Sequence, residues 1–278
     1  MATMKIQISK DDFEQSILAA TSSHSEVFES VEPHFKESYL RLSQQILGEV
    51  GEAALETSDD LREAVIKAVC LDAFLGVVRH LDLVLTPTGF GVVANNEVTP
   101  ASSSRVEALI EQCRIALIVA QDTVMSHLTV VSGWGSTLQA QQGIQTVVWS
   151  MEGYCYLTRQ TSMTSKDWMS KLAAMQEADA TLRKLVSDEQ MDDIMCLVRG
   201  VREGNEFEGC VRLMLSRCLI MLANDMLSAY SNERARLLRY LDAHLDNFPI
   251  YADSSAYKAN HFKEFNNEKS KPAFVFNA

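Results

Sequence analysis

The chain is short of the residues that interrupt helices. Its 278 residues include 12 glycines and 5 prolines, about half of the roughly 30–35 breakers expected at this length. The prolines stand at 33, 87, 100, 249 and 272, so none falls between 101 and 248. A sandwich or barrel needs a turn signal every ~8–12 residues, and a disordered chain is not 47% hydrophobic. Neither describes the whole.

Long apolar runs are missing too. No clean one is longer than Cys218 to Ala223, far below the ~20 residues of a membrane span, and Met1 to Lys10 has no apolar signal-peptide core. A soluble protein made in the cytoplasm is expected, with no membrane partner. The six cysteines, at 70, 113, 155, 196, 210 and 218, form no CxxC pair and mostly sit in apolar runs, which predicts buried reduced thiols. With no HExxH among six scattered histidines, no metal or cofactor is expected. Basic charge is also scarce: 25 Lys and Arg face 37 Asp and Glu, a net −12. Such a surface repels phosphate, which argues against wrapping nucleic acid but leaves lining a DNA passage open.

What remains is helical periodicity. At 31.0 kDa the chain can bury about three quarters of its surface, enough for one large domain or two small ones. Met4, Ile6 and Ile8 alternate, predicting a short strand before Ser9 caps a helix to about Ala20. Phe35, Tyr39, Leu42, Ile46, Val50 and Ala53 share one helical face, and Ser58 caps a helix that becomes apolar all round. Ser104 and Glu107 have capping-box spacing ahead of a long buried helix ended by Gly133-Trp134-Gly135. Residues 136–160 show no dominant period and are read as helical. Four further helices follow: about 166–185; one capped by Ser187 and terminated by Gly200, Gly204 and Gly209; about 207–229; and one capped by Ser231 and stopped by Pro249.

Two segments break the pattern. Leu81, Leu83 and Leu85 alternate, Thr86-Pro87-Thr88-Gly89 suits a tight turn, and Phe90-Gly91-Val92 returns, predicting a β-hairpin at about 81–94. From 250 onward no helical stripe exists; Tyr251, Tyr257, Phe262, Phe265, Phe274 and Phe276 punctuate a polar strip with four basic and three acidic side chains. The fold class read from the sequence is therefore mainly α: a multi-helix bundle over residues 1–249 with an inserted β-hairpin, and an extended C-terminal arm over 250–278.

Chemistry-bearing patterns are sparse. Glu-x-x-His is absent, so a di-iron bundle is not supported. Asp59-Asp60 and Asp192-Asp193 read as solvated first-turn charges. Asp225, beside Asn224 in an apolar helix, reads either as half of a buried polar pair or as a carboxylate satisfied by Arg212 or Arg217. Arg79-His80-Leu81-Asp82 lacks a nucleophile or orienting acid, Gly89-Phe90-Gly91 lacks the lysine and helix of a phosphate loop, and the Gly133–Ser136 stretch is no nucleophile elbow. No enzymatic activity is expected.

One stretch, Leu83-Val-Leu-Thr-Pro-Thr-Gly-Phe-Gly-Val-Val-Ala-Asn-Asn-Glu-Val-Thr-Pro-Ala-Ser-Ser-Ser-Arg-Val-Glu107, resembles a motif of the form LTPxGFGVVxNxxxxPAS…RVE. That motif belongs to a poorly characterised family of proteins encoded by tailed phages and prophages of the Bacteroides group. Gly133-Trp134 with Thr137, Gln139 and Trp149 is similar to a second landmark of that family. The resemblance implies a virion structural protein, a ring-forming head–tail connector or adaptor. Its implied partners are the portal protein, tail or neck proteins and copies of itself, with DNA passing through the lumen without sequence-specific binding. In that light the hairpin residues Thr86, Pro87, Thr88, Gly89, Phe90 and Gly91 would reach a neighbouring subunit or the portal. Phe262, Phe265, Phe274, Val275 and Phe276 would add to a neighbour's sheet edge. The alternatives are a hairpin that caps its own core, a disordered tail, and a monomeric helical adaptor or regulator that binds a partner through the aromatic tail.

Overall fold

The computed structural model describes residues 4–17, 25–81, 83–86, 89–92 and 102–261; for 25–26 and 83–92 it describes the backbone alone. Over these residues the chain is mainly helical. Met4 to Ser9 has no regular secondary structure and pairs with no strand among the described residues, contrary to the expected short strand. Ile6 instead anchors the segment by burial in the helical core. Ser9 then opens α1 (Lys10–Ser16) with a capping box: its hydroxyl accepts from the Asp12 N–H, and the Asp12 carboxylate accepts from the Ser9 N–H at 2.8 Å. The acidic first turn suits the positive end of the helix dipole.

Helix α2 (Ser25–Leu42) runs into a π-helical stretch, Ser43–Leu47, and then α3 (Gly48–Ala54). A π stretch breaks the regular hydrogen-bond ladder. Here Trp134, fully buried, donates its indole N–H to the Ile46 carbonyl at 2.9 Å, and Gln139 donates to the Gln44 carbonyl at 3.3 Å. Gly48 has φ +61, and a Cβ there would lie 3.0 Å from the Gln139 side chain. Ser58 caps α4 (Asp59–Val77) as expected, and Phe74 joins Phe13, Phe28 and Phe35 in a cluster of edge-on and tilted rings 5.8–6.3 Å apart. After a 3₁₀ turn, Val78–His80, strands β1 (Leu83–Thr86) and β2 (Gly89–Val92) pair antiparallel, Leu83 opposite Val92 and Thr86 opposite Gly89.

Helix α5 (Ser103–Leu128) packs along α4 more extensively than any other pair of elements. It begins one residue before the expected capping box. Ser102 is the N-cap, and Ser104 Oγ lies 3.1 Å from Ser102 Oγ instead of serving the backbone. Residues 136–160 are helical only at α6 (Leu138–Gly143), capped by Thr137, and α7 (Met151–Thr158), capped by Ser150. Helix α8 (Ser165–Val186) buries Trp168, Met175 and Leu182; α9 (Asp188–Val198) is capped by Ser187 and ends two residues before Gly200. Gly200 (φ +73) lies so close to Thr129 that a Cβ would sit 1.7 Å from its carbonyl oxygen. Glycine is therefore required there for both conformation and approach.

Helix α10 (Glu206–Ala223) begins with an Asn205–Glu208 capping box, which places Gly209 in its second turn and not at the end of α9. The expected helix over 207–229 breaks at Asn224–Met226, where Asp225 is left-handed (φ +55) and exposed, not buried with an arginine. Helix α11 (Leu227–Ala243) therefore starts four residues before the expected Ser231 cap. The extended arm is also corrected at its beginning: Pro249 opens α12 (Pro249–Asp253), and Ser254 caps α13 (Ser255–Asn260). Tyr251 is fully buried, and its N–H donates to buried Gln190 of α9 at 3.1 Å. Five- and six-residue helices are too short to display a three-four stripe, and proline, pre-set for the first helical turn, starts a helix as readily as it stops one.

Candidate interaction surface

Helices α7 and α10 meet beside the loop that enters α7, and between them lies an open cleft of about 410 Å³. Val147, Val148 and Trp149 form one wall, Tyr156 and Leu157 of α7 another, and Arg212, Leu213 and Ser216 of α10 the floor and far side. Both helices contribute a glycine to its lining: a Cβ on Gly153 would lie 2.7 Å from the Ser150 hydroxyl that caps α7, whereas a Cβ on Gly209 would meet nothing within 4 Å. Tyr156 (83% exposed) and Leu213 (42%) stand at the rim. Leu157 also lines a neighbouring cleft of about 380 Å³ with Tyr154, Asn224 and Met226. Met226 and Leu227 are exposed at the α10–α11 break.

Arg212 differs from the other partly buried arginines. Arg41, Arg62, Arg79, Arg183, Arg202 and Arg217 each approach a carboxylate. Arg199, half-buried, donates to the Ile144 carbonyl. Among the described residues, the Arg212 guanidinium makes no hydrogen bond and no ion pair, and burial alone pushes its pKa down. Withdrawing a cation from water without a partner is costly.

A second, more polar pocket of about 200 Å³ lies on the other side of Trp149, bounded by Trp168 and by Gln121, Gln142, Gln145 and Gln176. Asp122 of α5 is buried in it, and its carboxylate accepts the Met151 N–H at the start of α7 at 2.8 Å. Desolvation raises its pKa to about 7, opposed by the Met151 hydrogen bond and reinforced by Glu152. Asp122 thus ties α5 to α7 and helps fix the wall of the cleft. No cluster of three or more His, Cys, Asp or Glu suited to a metal occurs among the described residues, and none of their helices is long and apolar enough to cross a membrane.

Of the residues expected to make contacts, Thr86, Gly89, Phe90 and Gly91 lie in the paired strands, with Leu85 opposite Phe90 and Val84 opposite Gly91. Pro87 and Thr88, and Phe262, Phe265, Phe274, Val275 and Phe276, lie outside the described residues. The motif's Glu107 pairs with Arg79 at 2.8 Å across the base of the inserted segment. The second landmark is structural: Trp134 and Gln139 clamp the π stretch, Thr137 caps α6, and Trp149 walls the cleft. Sequence reasoning missed the cleft. Its one signal is an arginine and a glycine on a helix otherwise striped with Val211, Met214, Leu215 and Cys218.

Fold and cleft together define a mainly α-helical protein with an apolar cleft that carries a single cation. The chain belongs to DUF6712, a family of unknown function, whose match covers residues 32–137 and 217–261, a little over half of the chain. The first span contains the whole Leu83–Glu107 motif, and the cleft falls between the two spans. No curated protein and no solved structure matches the chain.

Proposed function

We propose that this chain is a non-enzymatic virion structural protein of a tailed phage or prophage. In this reading it is a ring-forming head–tail connector or adaptor subunit that joins the portal to the tail and lines the DNA passage. The observation that carries it is the row of exposed apolar side chains, Tyr156, Leu213, Met226 and Leu227, around two adjoining clefts. Large apolar groups gathered beside concave surface mark association sites. The motif resemblance supplies the phage context, and the excess of acidic side chains suits a lumen from which DNA must slide freely. Copies of the chain, the portal and tail or neck proteins are the partners in this reading, and the virion is its location. The alternative of a monomeric adaptor bound through its tail loses two anchors, since Tyr251 is buried and Tyr257 packs edge-on against it at 5.4 Å.

Mass spectrometry and cryo-EM of purified particles from a phage or induced prophage carrying the gene test the reading. Many copies per particle arranged in a ring at the portal vertex are expected. Its absence from purified particles, with the chain recovered only as a free monomer, refutes it.

A further inference from the structure

We infer that the α7–α10 cleft is a docking site for an acidic side chain flanked by an apolar one on a partner protein. The inference extends the reading of this face as an assembly surface. Arg212 selects the charge. It is desolvated, it has no carboxylate or carbonyl partner among the described residues, and it lies in a chain with an excess of acids that satisfies Arg183 and Arg202. A guanidinium left in this state is completed by a carboxylate, which it binds through two parallel N–H donors.

The surroundings narrow the occupant further. No second cation lines the cleft, so a phosphate or nucleic acid would meet one charge where such ligands are usually held by several. The walls are apolar and aromatic, Val147, Trp149 and Leu157, and the volume accommodates one or two side chains. Because Tyr156 and Leu213 carry the apolar surface outward beyond the cleft, a free small acid would leave them uncovered. A chain segment covers them and shields the new ion pair from water, the arrangement that makes a buried anchor strong.

A titration of the full chain with two blocked tripeptides, acetyl-Phe-Glu-Leu-amide and acetyl-Phe-Gln-Leu-amide, tests this. The readout is the NMR signals of the Arg212 side-chain N–H and the Trp149 indole. The Glu peptide is expected to saturate both signals with at least tenfold higher affinity than the Gln peptide. R212Q should bring the two peptides to the same weak affinity. G209L, which places a side chain where nothing lies within 4 Å, should abolish both while leaving the circular dichroism and melting temperature of a folded chain. Equal affinity of the two peptides for the native chain overturns the inference, as does Glu-peptide binding undiminished in R212Q. Acetate binding as tightly as the Glu peptide overturns it too, because the apolar flank would then contribute nothing. Failure here leaves the copy number in virions untouched, and absence from virions leaves the titration untouched.

Discussion

Replacing Trp134 by phenylalanine isolates the interaction that pins the π stretch. The indole N–H is the donor to the Ile46 carbonyl, at 2.9 Å and wholly buried. Phenylalanine keeps a ring but leaves that carbonyl without its partner, at about 1–3 kcal/mol for a buried unsatisfied group. The smaller side chain also leaves roughly 40 Å³ unfilled, worth about 1 kcal/mol at ~24 cal/mol per Å³. The sum is about 2–4 kcal/mol. Trp168 supplies the matching control: it is equally buried, with its ring edge-on to Tyr154 at 5.9 Å, but its indole N–H donates to no group among the described residues. Trp168→Phe should therefore cost only the volume term of about 1 kcal/mol. Urea unfolding at constant m measures both, and W134F should be less stable than W168F by about 1–3 kcal/mol. If the two variants fall within about 0.5 kcal/mol of each other, the hydrogen bond is not what holds the π stretch, and the clamp is reduced to packing.

Two other predictions separate backbone demands and protonation. Gly200→Ala forces a Cβ to 1.7 Å from the Thr129 carbonyl oxygen at φ +73 and should cost at least about 2 kcal/mol. Gly209→Ala, in a helix with open space around it, should instead stabilise by about 0.5–1 kcal/mol; parallel melting curves with both variants shifted in one direction would contradict this. For Asp122, the folded pKa of about 7 lies above the unfolded value, near 3.9. Between about pH 4 and 7 the folded state therefore holds the extra proton, and native stability falls as pH rises through that window, levelling off above it. Asp122→Asn keeps an acceptor for the Met151 N–H and removes the titration. Its stability relative to the native chain should grow across that window by up to about 4 kcal/mol, as read by urea unfolding at several pH values. Parallel curves for the two proteins would refute the assignment.

The legible parts of this fold are those in which one local signal decides. Ser9, Ser58 and Ser187 cap helices where the sequence places them, because a hydroxyl beside an apolar stripe has a single use. Where two signals compete, periodicity misleads. The apolar stripe of α10 continues through Met226 as if unbroken, so the left-handed Asp225 is invisible in it, and Ser102 and Ser104 both offer caps to α5. Tyr251 and Tyr257 look like members of a solvated strip until Gln190, 61 residues away from Tyr251, accepts the Tyr251 N–H. Arg212 is illegible for a different reason. Its importance lies in the carboxylates that fail to reach it, and only the packed chain reveals that.

The Arg79–Glu107 pair, set where α4 gives way to the strands and α5 begins, has a consequence for how this protein can change length. The connection it spans leaves and re-enters the body between two helices that pack along each other, so its ends are held whatever lies between. Closing a flexible loop costs only about 0.6 kcal/mol more for each doubling of its length. Insertions between residues 81 and 102 should therefore cost the packing of α4 against α5 little stability. One helical body can thus carry connections of different reach.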